Sequence, residues 1–221
     1  MIAACSDTHK GNGGRREQLG PEDVTRWCQS CLSLSEDPEL DLVALLGDIF
    51  EMWDHRPDSV LLDYDTRRMI RALEPVSRQC PIIYCVGNHD EAVLADPRIR
   101  GMIPDWIWVC KEYDHNGTLL MHGHQLDRWN SDHRWVGRTI SRTAAAVGTV
   151  SSRAYSWLRS TASRVEGAGR YSRNDRHADQ AVAYMRERGC SRIVTGHTHR
   201  RVEEGIYRDC GTWVDDGWLV I

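Results

Sequence analysis

Apolar residues along the chain come in brief runs rather than in one long stretch. Met1–Cys5, Leu42–Leu46, Ile82–Val86, Ile107–Cys110, Thr118–Met121 and Ile193–Thr195 are each short, mostly aliphatic and bounded by Gly, Asp or Pro. Unbroken apolar runs of this length predict strands covered on both faces. Further extended pieces are predicted near Val202–Tyr207 and Trp213–Ile221. Asn116-Gly117 is a hairpin turn signal, and Asp216-Gly217 is a second near the end. Between the runs lie helical patterns. Pro21–Leu34 opens with Pro and two acids, a good helix start, and Val60–Gln79 reads as one surface helix. This alternation predicts an α/β layered sandwich with strands inside and helices outside.

One region breaks the alternation. From Trp135 to Leu158 a helix-like pattern carries Trp135, Ile140, Val147, Trp157 and Leu158 roughly on one side, interspersed with arginines. Gly and Ser interrupt it near Val165–Ser172, and Asp175–Arg188 resumes as a helix. We read residues 128–188 as a helical cap inserted over the strand ends, within a single domain spanning 1–221.

Composition changes this picture little. The 221 residues are 41% hydrophobic and 27% charged, ordinary values for a globular chain. No apolar run reaches the ~18 residues of a membrane span. The first strand starts at once, with no signal-peptide pattern, which predicts a cytoplasmic protein. The eight cysteines are accordingly expected to be reduced. Cys5, Cys85 and Cys110 read as small core residues, and Cys28-x-x-Cys31 has no second pair at zinc-site spacing.

Charge changes it more. The net value is −4, yet Arg128–Arg176 holds ten arginines against Asp132, Glu166 and Asp175. Such a stretch suits an anionic partner or an anionic surface; the plainer alternative is a solvated helical face.

The candidate chemistry sits just past the predicted strands. Asp7-x-His9 follows the first, Gly47-Asp48-x-x-Glu51 the second and Gly87-Asn88-His89-Asp90 the third, with His122-Gly-His124 and Gly196-His197-x-His199 after later ones. Six of the ten histidines fall in these five places. Loops at strand ends converge on one edge of an α/β sheet, so such residues are placed to meet. Carboxylates and imidazoles without thiolates suit Mn²⁺, with Fe²⁺ or Zn²⁺ as alternatives. The donors are too many for one ion and suit two ions sharing a carboxylate, the known arrangement for clamping a phosphoryl group.

These five blocks, in order, resemble the signature of the calcineurin-like metallophosphoesterases. The resemblance spans nearly the whole chain and implies a four-layer α/β/β/α fold, a central β-sandwich flanked by helices. It also implies a dinuclear centre, with Asp7, His9, Asp48 and His199 on one ion and Asp48, Asn88, His122 and His197 on the other. Asp48 would bridge the two ions. Hydrolysis would proceed by attack of a hydroxide bridging the metals on a phosphodiester or pyrophosphate. His89 resembles the family histidine that stabilises the phosphoryl oxygen or protonates the leaving group, oriented by Glu51 or Asp90. His124 is a hydrogen-bonding support or a substrate contact. His55, His115, His133 and His177 are expected at the surface.

Leu46–Trp53, Met121-His-Gly, Gly196–Arg200 and Gly211–Gly217 resemble the UDP-2,3-diacylglucosamine pyrophosphatases of lipid A synthesis. That branch implies a nucleotide-containing substrate and work at a membrane surface, peripheral to the inner membrane. Its best-known members carry Arg where this chain has His89, and usually Asp where it has His124. A nuclease-type phosphodiesterase, using the arginines on nucleic-acid backbone, is the further alternative. The oligomeric state is left open.

Overall fold

The computed structural model describes residues 1–13, 19–126, 176–203 and 205–221. Two sheets form the centre. The first has five strands in the order β4-β3-β2-β1-β9: β1 (Ile2–Cys5), β2 (Leu42–Leu45), β3 (Ile82–Cys85), β4 (Ile107–Cys110) and β9 (Leu219–Val220). β1 to β4 are parallel, with Ala4 opposite Ala44 and Leu45 opposite Tyr84, and β9 runs antiparallel to β1. The second sheet has the order β5-β6-β7-β8: β5 (Glu112–His115), β6 (Thr118–Met121), β7 (Arg192–Thr195) and β8 (Tyr207–Asp209).

Alternate residues of each strand point into different cores, which explains why the runs are apolar throughout. Ile2, Ala4, Leu42, Ala44, Ile83 and Cys85 face Leu120, Val194 and Cys210 between the two sheets. Ala3, Cys5, Val43, Leu45, Ile82 and Tyr84 pack outward against Val24, Trp27 and Cys31 of α1 (Pro21–Ser35), with Met69, Leu73 and Val76. On the far side Leu119, Met121 and Ile193 pack on Ala181 and Met185 of a helix over residues 176–187. Helix, sheet, sheet, helix is the four-layer order that the family resemblance implied.

Several local expectations are corrected. Val60–Gln79 is not one helix but parts of three, Pro57–Leu62, Tyr64–Ala72 and Glu74–Ser77. Asp63 leaves helical geometry (ψ 142°) to cap the second helix at Asp65 N and Thr66 N, and Pro75 opens the third. Trp213–Asp216 is a helical turn, not a strand, because Asp216 accepts from Thr212 N and Asp215 from the Thr212 hydroxyl. Gly217 (φ 68°) therefore ends a helix instead of turning a hairpin. Asn116-Gly117 does turn a hairpin, joining β6 to β5, a polar strand that no apolar run announced. The Val202–Tyr207 piece reduces to a single bridge from Val202 to Asp209 before β8. All eight cysteines are free; Cys5 and Cys85 are buried and Cys110 is half-buried. Of the predicted cap, residues 127–175 lie outside those described; 176–187 is helical as expected. Among the described residues no helix is long and apolar enough to cross a membrane.

Candidate metal centre

The parallel strands β1, β2 and β3 end on the same edge, and the chain leaving them carries Asp7, Asp48 and Asn88. Beyond the strands, the first two loops keep pairing through Asp7 N to Gly47 O (3.1 Å), His9 N to Asp48 O (2.9 Å) and Glu51 N to Lys10 O (2.9 Å). The second-sheet loops pair with each other through Gly196 N to His122 O (3.0 Å) and join the first-sheet loops through His197 N to Asp7 Oδ2 (2.9 Å).

Backbone strain marks the place. Among the described residues six that are not glycine have positive φ, and five are Asp7 (54°), His9 (46°), Asp48 (51°), His197 (73°) and His199 (56°). The sixth, Asn116, is in the hairpin turn. Each such residue costs on the order of 1–3 kcal/mol and persists only where the surroundings enforce it, typically at functional sites. Two glycines of the motifs are sterically required. A Cβ on Gly47 would lie 2.6 Å from His122 Cγ and 2.7 Å from Gly87 Cα, and one on Gly87 would collide with the Asp48 carboxylate.

Among the described residues three sets of potential ligand atoms each gather within 4.8 Å: Asp7, His9 and His199; Asp7, Asp48 and His122; and His9, Asp48 and His89. His199 Nε2 is 3.0 Å from Asp7 Oδ1. His122 Nδ1 donates to Leu46 O (2.7 Å), since a carbonyl can only accept, and Nε2 is left facing Asp48 Oδ2 at 3.3 Å. His197 packs its ring 5.2 Å from that of His122. Asn88 lies beside Asp48, whose Oδ1 accepts from the next backbone amide, His89 N (2.8 Å).

His89 is held on three sides. Its Nδ1 meets both Glu51 oxygens (2.9 and 2.8 Å), Trp53 stacks on its face (4.0 Å between centroids, 20° between planes), and His9 meets it edge-on at 4.7 Å. Its Nε2 is then 4.0 Å from Asp48 Oδ2. Glu51 also touches His9 Nδ1 (3.3 Å) and accepts from Trp53 N (3.0 Å). Asp90 is engaged elsewhere: it accepts from Ile49 N, Phe50 N, Gly87 N and the Tyr84 hydroxyl, tying the second and third loops together.

The charges compensate one another. Burial alone would raise the Asp48 and Glu51 carboxyls, but neighbouring imidazoles, chiefly His122 and His89 respectively, hold both well below the usual carboxylate range. Asp7 is likewise held low by His199 against its burial. Burial would lower His122, yet Asp48 drives it up to about 9, and His9 and His89 also rise against their burial. Asp90 moves the other way, to about 6, because burial and the nearby Asp48 charge disfavour its ionised form.

The donor set fits divalent cations. Asn88 Oδ1, His9 Nε2 and His122 Nε2 are buried and make no hydrogen bond, which costs roughly 1–3 kcal/mol per group unless something else binds them. All three belong to the predicted ligand set, beside two buried carboxylates.

Sequence reasoning missed some participants. Trp53 was quoted within a motif but given no role. His177, expected at the surface, is buried: with Ala181 and Met185 it forms a stripe at intervals of four along the helix, the signal that could have revealed it. His124 is buried, with its ring 5.3 Å from that of His122; His55 and His115 are half-buried, and His133 lies outside the described residues. Asp209, fully buried on β8, was not singled out at all.

The chain is similar to known proteins. The chain is 26% identical to a UDP-2,3-diacylglucosamine hydrolase of Aromatoleum aromaticum over 189 residues, 79% of this chain and 74% of that protein. It is 21% identical over 220 residues to a UDP-2,3-diacylglucosamine hydrolase of a Shewanella species (strain MR-4), covering 90% and 87% of the two chains. The calcineurin-like phosphoesterase profile matches residues 1–201, a span that contains every loop of the centre. The chain therefore belongs to the calcineurin-like phosphoesterase family, and it is a metal-dependent phosphohydrolase.

Proposed function

We propose that this enzyme cleaves the pyrophosphate bond of a nucleotide-containing substrate of the UDP-2,3-diacylglucosamine type, in the cytoplasm, using two Mn²⁺ ions. Asp7, His9, Asp48 and His199 would hold one ion and Asp48, Asn88, His122 and His197 the other. The mixture of carboxylate, amide and imidazole donors without thiolate supports Mn²⁺. Eight free thiols support a reducing compartment. Two curated relatives named for the diacylglucosamine substrate, each matched over most of its length, support the substrate class.

When bound, the cations supply the positive charge that acidifies water and clamps phosphoryl oxygens. The chain's own residues supply the rest. Hydrolysis needs a proton on the departing oxygen, and His89 is placed to donate it from Nε2. Glu51 on Nδ1 stabilises the imidazolium before transfer and fixes the ring's direction; Trp53 and His9 prevent it from rotating. The neutral amide of Asn88 contributes an oxygen without adding negative charge, which keeps the centre attractive to a phosphate anion.

The observation that carries this reading is the clamp on His89 beside buried, unbonded ligand atoms. The test is turnover of UDP-2,3-diacylglucosamine and of bis(p-nitrophenyl) phosphate with Mn²⁺, with and without chelator. We expect both to be cleaved only with metal. Turnover of the aryl diester alone would remove the diacylglucosamine assignment, and preferential, steeply salt-dependent cleavage of nucleic acid would replace it with the nuclease reading.

A further inference from the structure

We infer that His177, Tyr207 and Asp209 form a buried positioning chain that sets the two histidine loops of the metal centre, His122-Gly123 and His197-Thr198-His199. This rests on the metallophosphoesterase reading of that centre.

The contacts are continuous. His177, on the helix over residues 176–187, places Nε2 3.1 Å from Gly123 O and Nδ1 3.3 Å from the Tyr207 hydroxyl. Tyr207 and Asp209 Oδ2 are 3.1 Å apart. The same Oδ2 accepts from Thr198 Oγ1 at 2.8 Å and from Thr195 Oγ1 at 3.1 Å, while Oδ1 accepts from Gly211 N at 2.9 Å. One chain of polar atoms thus runs from the residue after His122 to the residue between His197 and His199. The fit is close: a Cβ on Gly123 would lie 3.0 Å from His177 Nε2, and the His177 and His197 rings are 5.9 Å apart.

The order of protons follows from the partners. Gly123 O can only accept, so His177 Nε2 carries hydrogen. The Tyr207 hydroxyl donates to Asp209 Oδ2 and is within reach of the Thr195 hydroxyl at 3.4 Å. Burial pushes the Asp209 carboxyl up to about 8. The chain holds the left-handed backbone of His197 and His199 and the carbonyl beside His122 in one arrangement. The helix that follows the arginine-rich stretch is anchored to the metal loops by the same side chain.

The test uses Tyr207→Phe, which deletes one hydroxyl, and His177→Phe, with His177→Gln restoring a donor to Gly123 O. Calorimetric titration with Mn²⁺ gives stoichiometry and affinity. Amide hydrogen exchange of the metal-free full chain reports residues 122–126 and 196–199 directly. We expect Tyr207→Phe and His177→Phe to weaken one Mn²⁺ about tenfold, as outer-shell changes do, and to speed exchange in both segments, with His177→Gln recovering part of each. Wild-type affinity and exchange in folded Tyr207→Phe would overturn the inference, and that variant decides the matter if His177→Phe does not fold. Should the wild type bind no Mn²⁺, the metallophosphoesterase reading fails instead, while the exchange arm still judges the chain.

Discussion

The two sheets bring different chemistry to the edge they share. The loops after the five-stranded sheet carry Asp7, Asp48 and Glu51, the amide Asn88, and the imidazoles His9 and His89; those after β6 and β7 carry His122, His197 and His199. The first set alone would crowd buried carboxylates together, and the second would leave imidazoles with nothing to balance them. Packed against each other they neutralise: Asp48 holds His122 up, and His122 holds Asp48 down. Protonated imidazoles here stand in for cations, so a metal entering the centre must displace protons. In the proposed scheme the asymmetry also separates roles, with the proton chemistry of His89 on the five-stranded side and, once metal has displaced their protons, imidazole ligands on the other.

Breaking that balance at its shared member should have the largest effect. Asp48→Asn removes the carboxylate common to both proposed ion sites, and turnover should fall by about 10³-fold or more, the scale of losing several kcal/mol of metal charge stabilisation. Metal analysis after gel filtration should show both ions depleted; retention of two ions would remove Asp48 as the bridge. His89→Ala tests the division of labour on the five-stranded side. It should lower kcat on the order of 10²–10³-fold, the usual contribution of general acid catalysis, with metal content unchanged. Full activity in the metal-loaded variant would take His89 out of the mechanism. Glu51→Gln keeps the shape but not the charge behind His89 and His9, and should reduce turnover by about 10- to 100-fold; an undiminished kcat would assign Glu51 to packing alone.

Two pH experiments sharpen the comparison with smaller effects. In the metal-free chain His122 loses its proton only near pH 9, so Mn²⁺ affinity should rise with pH up to that range, with protons released on binding. Calorimetry in buffers of differing ionisation enthalpy measures that release; none at pH 7 would contradict the compensation described. Asp209 concerns stability. Its folded-state value, about 8, lies above the ordinary carboxylate value of 3.8, so the protonated form favours folding. Its contribution is full below pH 3.8 and is lost as pH rises through 8. Asp209→Asn should therefore flatten the fall in Tm between pH 6 and 9, and an unchanged slope would show that Asp209 titrates normally.

How far the site was legible depended on whether its residues followed strands. The motif aspartates and histidines stand directly after apolar runs that could only be buried strands, so their convergence followed from the fold class. His177 gave no such cue, since one polar residue in a helix repeat reads as solvent-facing until its partners at Ala181 and Met185 are known to be covered. β5 escaped because Glu-Tyr-Asp-His has no apolar run, and it is a strand only because β6 lies beside it. At Trp213 an apolar stretch suggested extension, but Thr212, Asp215 and Asp216 close a helical turn locally.

The sequence by itself determined the layered α/β class, the covered strands and the candidate residues for a metal centre, because burial periodicity and strand-end chemistry are local properties. Only the tertiary structure decided which carboxylate touches His89, that Trp53 lies flat against that ring, and that a buried chain through Asp209 supports the histidine loops. These depend on residues 30 to 54 positions apart along the chain. Contacts of that kind are set by how two sheets pack, and no local pattern encodes them.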